Sequence, residues 1–181
     1  MMEGKINSVE DKLHTFFPEH SDILLTGGRD EIKLKHVLTM SAGLEWDERS
    51  YPYEDIRNDH AQMYNSDDWI KFVLDKPIVE SPGSKFNYNS GPSITLGGVV
   101  RNVTGATVDE YAASTLFEAL GITGYAWFKD EDGTAQTGGG LSLRPRDMVK
   151  FGLLFLNEGE WNGNQVVSQD PISVQRTRLH G

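Results

Sequence analysis

The ten residues Pro82-Gly83-Ser84-Lys85-Phe86-Asn87-Tyr88-Asn89-Ser90-Gly91 turn, extend and lead into a helix. Pro82-Gly83 is a turn signal, because proline presets one backbone angle and glycine accepts the left-handed one. Pro92 takes the first helical position, where its missing N–H would be unpaired in any case. Ile94, Leu96, Val99, Val100 and Val103 then supply the apolar residues of a helix. Gly97 and Gly98 lie inside it, and each costs about 1 kcal/mol against alanine, so their presence predicts close packing against a neighbour. Tyr88 therefore stands at a loop-to-helix junction, with Lys85 three residues before it. A tyrosine serves as general base only when cationic neighbours bring its pKa down from about 10. Asn89 and Ser90 are suited to hydrogen-bond a substrate carbonyl or to orient an amine. The competing reading makes Tyr88 a half-buried structural residue whose hydroxyl finds a backbone partner.

Upstream, Ile32 to Met40 reads as a short helix with Ile32, Leu34, Val37, Leu38 and Met40 near one face, stopped by Gly43. Glu45 to Asn65 is polar, aromatic and proline-bearing, which predicts a long surface loop. Ser66 is expected to cap a helix with Trp69, Phe72 and Val73 buried, Asp67 and Asp68 favouring its positive end. Downstream, Thr107 and Glu110 have capping-box spacing for a helix reaching Leu120, with Gly121 after it. Tyr125 to Phe128 is strand-like, and Gly138-Gly139-Gly140 predicts a backbone approach that side chains would prevent. Pro145 opens a helix carrying Met148, Phe151, Leu154 and Phe155, ended by Gly159. Asn162-Gly163 predicts a small hairpin between Trp161 and Val167. The pattern gives five helices, few strands and no linker dividing the 181 residues.

Composition narrows the chemistry. Apolar residues make up 38% and charged residues 24%, enough to build a core. The formal charge of −10 opposes binding to nucleic acid or to an anionic membrane surface. No signal-peptide pattern and no apolar run of membrane-spanning length occurs, and the compartment stays open. There is no cysteine, which removes thiolate metal sites and cysteine nucleophiles. The five histidines show no ligand spacing, and no metal or cofactor is expected. The Gly-x-Ser-x-Gly elbow is absent, and no serine stands three residues before a lysine.

Several segments in order resemble the beta-lactamase-related serine hydrolases, a family of class C beta-lactamases, penicillin-binding peptidases, related esterases and nylon-oligomer hydrolases. Ile32 to Leu44, with Thr39-Met40-Ser41-Ala42-Gly43-Leu44 at its end, is similar to the family's helix and Thr-Ser-Gly-Leu stretch. Pro82 to Gly91 resembles the run around its Tyr-x-Asn motif, and Leu116 to Ile122 resembles its Phe-Glu-Pro-Leu-Gly-Ile segment. Gly138 to Leu141, Pro145 to Met148 and Trp161 to Gly163 resemble its late helix and hairpin.

The resemblance implies an α+β, beta-lactamase/transpeptidase-like fold, with this chain holding mainly the helical middle and little of the antiparallel sheet. It places Tyr88 as the proton-handling tyrosine, Ser90 where asparagine usually stands, and Asn89 as a substrate contact. The family acylates a serine from a Ser-x-x-Lys helix, which would lie just before Met1. Its third motif, on a strand, would lie beyond Gly181; His180-Gly181 lacks the intervening residue. The expectation is a single partial domain over residues 1–181, truncated at both ends. Its full-length relative would cleave a small ester or amide through an acyl-enzyme, and the chain alone would be inactive. A non-catalytic substrate-binding module is the alternative. A helix such as Pro145 to Asn157, deprived of its sheet, would expose an apolar face and promote self-association.

Overall fold

A computed structural model describes residues 5–169. The readings of Met1 to Gly4 and of His180-Gly181 lie outside the described residues. The chain divides into two units, one built from residues up to Val108 together with Lys129–Gly140, the other from Asp109–Phe128 and from Leu141 onward.

The first unit is helical. After short 3-10 turns at Leu13–Phe16 and Pro18–His20 come α1 (Ser21–Leu24) and α2 (Leu34–Leu38). α2 is shorter than the apolar spacing predicts. His36 Nδ1 accepts the Lys33 N–H at 3.2 Å, setting its start, and the Thr39 hydroxyl takes the Lys35 carbonyl at 2.7 Å near its end. Ile32, Leu34 and Val37 are buried, but Leu38 is 55% exposed and Met40 takes a left-handed φ of 51°.

The stretch expected as a surface loop contains α3 (Asp59–Tyr64), started by Asn58, whose side chain accepts the His60 N–H at 2.9 Å. It also buries Trp46, Glu48 and Asn58. α4 (Trp69–Leu74) is capped by Asp68 rather than Ser66. The Asp68 carboxylate accepts the Lys71 N–H at 2.8 Å, while the Ser66 hydroxyl closes the end of α3 on the Met63 carbonyl at 2.7 Å. Trp69 and Val73 are buried as expected.

α5 (Gly91–Thr104) begins at Gly91, one residue before the expected Pro92, which stands in its first turn, and its glycines explain themselves in space. A Cβ on Gly98 would stand 2.7 Å from Ile70 Cδ1 and 2.8 Å from the Phe17 ring. That contact lets α4 and α5 close on one core, which holds Leu13, Phe17, Leu24, Met63, Trp69, Val73, Ile94 and Val99. Gly138 and Gly139, by contrast, have room for a side chain, contrary to expectation. Instead, the N–H groups of Gly139 and Gly140 converge on Gln136 Oε1, at 2.5 and 2.8 Å.

In the second unit, α6 (Val108–Ala112) passes into a π-helical turn over Ala113–Phe117, where one uninterrupted α-helix was expected. Ser114 and Thr115 hydroxyls take the Tyr111 carbonyl at 3.2 and 2.6 Å, competing with the regular ladder. β1 (Tyr125–Trp127) pairs antiparallel with β2 (Leu141–Leu143), Ala126 facing Ser142. α7 (Pro145–Leu156) starts at its proline as predicted. It lays Phe151 and Leu154 on Phe117, Leu120 and Ile122, yet leaves Met148 61% exposed on another face. β3 (Glu160–Trp161) and β4 (Asn164–Gln165) form the expected hairpin, and Asn162 and Gly163 have the left-handed φ of 50° and 79° that its turn needs. The described residues hold seven α-helices, two more than expected, since α1 and α3 lack strong apolar periodicity.

Candidate active site

Tyr88, Asn89 and Ser90 lie together at the start of α5, and a four-residue stretch some forty positions earlier holds them there. Trp46 is buried edge-on against Phe72, ring centroids 6.2 Å apart, and its indole N–H donates to Glu48 Oε2 at 2.7 Å. Glu48 is only 3% exposed. Its Oε2 also accepts the Ser90 N–H at 2.7 Å, and its Oε1 accepts the Ser90 hydroxyl at 2.6 Å and the Tyr53 hydroxyl at 3.1 Å. A carboxylate withdrawn from water is tolerable when hydrogen bonds replace its hydration, and here four donors do so. The positive end of α5 adds a favourable field. The Tyr53 phenol is pushed above its ordinary value, first by burial and then because its hydroxyl serves the Glu48 charge.

The other side of the loop is tied equally firmly. Asn87 donates its N–H to the Met40 carbonyl and its side-chain amide to the Trp46 carbonyl, both at 2.9 Å. Tyr88 and Asn89 thus bridge two anchors, Asn87 and Ser90. The Tyr88 ring is half-buried, and the Arg49 guanidinium lies 4.6 Å from its centroid. The cation beside Tyr88 is therefore Arg49. Lys85 pairs with Glu80 at 3.2 Å.

Ser90 is buried and its hydroxyl is occupied by Glu48. Asn89 is buried as well, its carbonyl oxygen accepting the Gly91 N–H at 2.8 Å. Its amide nitrogen has no protein partner among the described residues. Since no fully buried side-chain nitrogen or oxygen there lacks one, that nitrogen keeps contact with solvent. Gly91 is confined, because a Cβ would meet Val73 Cγ2 at 2.8 Å.

The supporting stretch is itself fixed. The Asp47 N–H donates to Asp59 Oδ2 at 2.5 Å, and Lys76 bonds Asp59 Oδ1 at 2.5 Å. Asn58 holds the Glu48 and Tyr51 carbonyls at 3.2 and 2.8 Å. A run of ring contacts leads from Tyr53, edge-on to His60, through Tyr64 to Trp69, with centroids 4.9, 4.4 and 4.7 Å apart. Sequence reasoning missed Glu48 and Arg49. The one local signal was the density of aromatic residues around them, Trp46, Tyr51 and Tyr53. Among the described residues, no three acidic or histidine side chains converge as metal ligands would.

Comparison with known proteins bears on the fold and the family. An Escherichia coli protein named "Putative D-alanyl-D-alanine carboxypeptidase" is 26% identical over 127 residues, covering 68% of this chain and 28% of its own length. The structure of a "Putative 6-aminohexanoate-dimer hydrolase from Bacillus anthracis" superposes with a TM-score of 0.79 at 27% identity, over 95% of this chain and 47% of that one. An octameric penicillin-binding protein homologue from Pyrococcus abyssi shares the fold at TM-score 0.68 and 22% identity, over 95% of this chain and 43% of that one. The chain thus spans less than half the length of these relatives. The profile described as Beta-lactamase matches residues 1–179, and with the α+β fold of these neighbours it settles the kinship: the chain belongs to the beta-lactamase family.

Proposed function

We propose that this chain supplies the tyrosine-bearing part of a serine hydrolase that cleaves a small ester or amide through an acyl-enzyme. Tyr88 relays protons between the attacking hydroxyl and the leaving group. The Asn89 amide nitrogen donates to the substrate, and Ser90 is the polar group that fixes the loop beside them. The observation that supports this reading most directly is the clamp on Tyr88: a half-exposed phenol between two anchored neighbours, with a guanidinium on its ring. A proton relay needs such a fixed position, because transfer demands hydrogen-bond distance to both partners.

Acylation needs a serine activated by an adjacent base, and no Ser-x-x-Lys occurs in the 181 residues. The chain alone is therefore expected to release no more product from nitrocefin or p-nitrophenyl acetate than buffer does. Turnover abolished by Tyr88→Phe would overturn that expectation. Substrate contact is tested separately by NMR on protein carrying ¹³C-labelled tyrosine. Benzylpenicillin should shift the Tyr88 ring resonance, assigned by its loss in Tyr88→Phe; a resonance that stays put up to the solubility limit would remove the reading.

A further inference from the structure

We infer that Glu48 is a positioning residue for the tyrosine loop, setting where the Tyr88 phenol stands without touching substrate itself. The inference rests on the reading of Tyr88 as the proton-handling group. It deepens that reading by naming what holds the phenol in place.

The argument begins with the cost of the carboxylate. A glutamate 3% exposed has given up nearly all its water, and no lysine or arginine forms an ion pair with it among the described residues. All four of its hydrogen bonds come from neutral donors, two of them from Ser90. Such a group is far more expensive than a packed apolar side chain unless the donors it gathers are needed in that arrangement. What it gathers is the first residue of the α5 entrance, the indole of Trp46 and the phenol of Tyr53. The carboxylate therefore ties three separate parts of the chain to one point.

The geometry then transmits to Tyr88 from both flanks. On one side Asn87 hangs from the Trp46 carbonyl, and on the other Ser90 hangs from the Glu48 carboxylate. Both anchors belong to one short stretch, which also carries Arg49 against the Tyr88 ring. Only two residues, Tyr88 and Asn89, lie between the hung points, so little conformational freedom remains to them. Glutamine would keep the shape and lose the charge. Its amide nitrogen can face only the Ser90 and Tyr53 hydroxyls, which must then turn to accept, and the oxygen left on the Ser90 and Trp46 N–H groups is a neutral, weaker acceptor.

The test needs neither turnover nor ligand. The intact chain, its Glu48→Gln variant and its Ser90→Ala variant are compared by ¹³C-tyrosine NMR and amide hydrogen exchange. In Glu48→Gln the Tyr88 ring resonance should shift and broaden, and the Ser90 amide should exchange roughly tenfold faster, the scale of exchanging a charged acceptor for a neutral one. Ser90→Ala, which keeps the Ser90-position N–H bond to the carboxylate, should shift the Tyr88 resonance less. A merely structural role would lower the melting temperature and leave the Tyr88 signal of the folded protein where it was. An unchanged Tyr88 resonance and unchanged amide exchange in folded Glu48→Gln overturn the inference. Should that variant not fold, Ser90→Ala decides: a displaced Tyr88 signal supports the inference and an unmoved one overturns it. Failure of the benzylpenicillin titration in the unsubstituted protein would remove the catalytic reading of Tyr88 while leaving these ligand-free signals to report on Glu48.

Discussion

Asn58 has no exposed surface, and its one side chain closes three pieces of backbone. The oxygen caps α3 through the His60 N–H, and the nitrogen holds the Glu48 and Tyr51 carbonyls. Losing a cap costs about 1 kcal/mol, and stripping buried carbonyls of their donor costs about 1–3 kcal/mol more. Asn58→Ala should therefore lower unfolding free energy by about 2–4 kcal/mol in urea titration; a midpoint within error of the parent would refute the account. Asn58→Asp keeps the cap but turns a buried carboxylate oxygen onto the Glu48 and Tyr51 carbonyls, so its midpoint should fall at or below that of Asn58→Ala. Gly98 sets two effects against each other. Alanine is the better helix former by about 1 kcal/mol. Its methyl, however, would enter the space of the buried Ile70 and Phe17 side chains, and overpacking a core costs about 1–3 kcal/mol. Gly98→Ala should be neutral to destabilising in the same titration, and a gain in stability would show that the α4–α5 contact yields freely.

At the level of elements, the Asp59–Lys76 bridge fastens the start of α3 to the end of α4, and both side chains are largely withdrawn from water. Removing one member of a buried pair leaves the other uncompensated, a loss of about 3–5 kcal/mol for full burial. Lys76 retains the Phe72 ring at 4.5 Å, which softens its isolation. Asp59→Ala should cost about 3 kcal/mol in denaturant titration and disturb the Asp47 turn; an effect under about 1 kcal/mol would show the bridge to be solvated. Elements defined by local chemistry were legible in the sequence. Pro92 stands in the first turn of α5, Pro145 begins α7, and Asn162-Gly163 makes its turn, because proline and glycine act on their own backbone. Periodicity was less informative about direction. α7 is apolar on two sides, so its pattern marked Met148 as readily as Leu154, and only the packing chose Leu154. The position of Tyr88-Asn89-Ser90 was legible for the same local reasons. Glu48 was not, since its burial depends on donors 42 residues away.

Over the whole molecule, Met148, Val149, Leu153 and Leu156 leave one face of α7 exposed and apolar. We propose that this face drives self-association: sedimentation velocity should show mass growing with concentration, reduced in Val149→Lys/Leu153→Lys. A monomer at every concentration would exclude it. Two histidines make stability depend on pH. Burial holds His36 below its ordinary value, with Lys35 and Lys33 adding to the effect, and burial lowers His60 against the pull of Glu48. The folded state then binds these protons less readily than the unfolded chain. Their contribution is complete above about pH 6.5 and declines as the pH falls below it. The exposed Glu10, held down to about 2 by Lys35 and Lys33, and Asp55, held to about 2 by Arg57, act only in a more acidic window. Melting temperature should therefore drop as the pH falls below about 6.5, and His36→Asn with His60→Phe should flatten that slope; a slope unchanged by both would assign it elsewhere. The bond from Ser90 to Glu48 has a kinetic consequence too. It joins residues 42 positions apart, so making it closes a loop of that length, at a greater entropic cost than the i to i+4 bonds of the helices, and contacts of this separation slow folding.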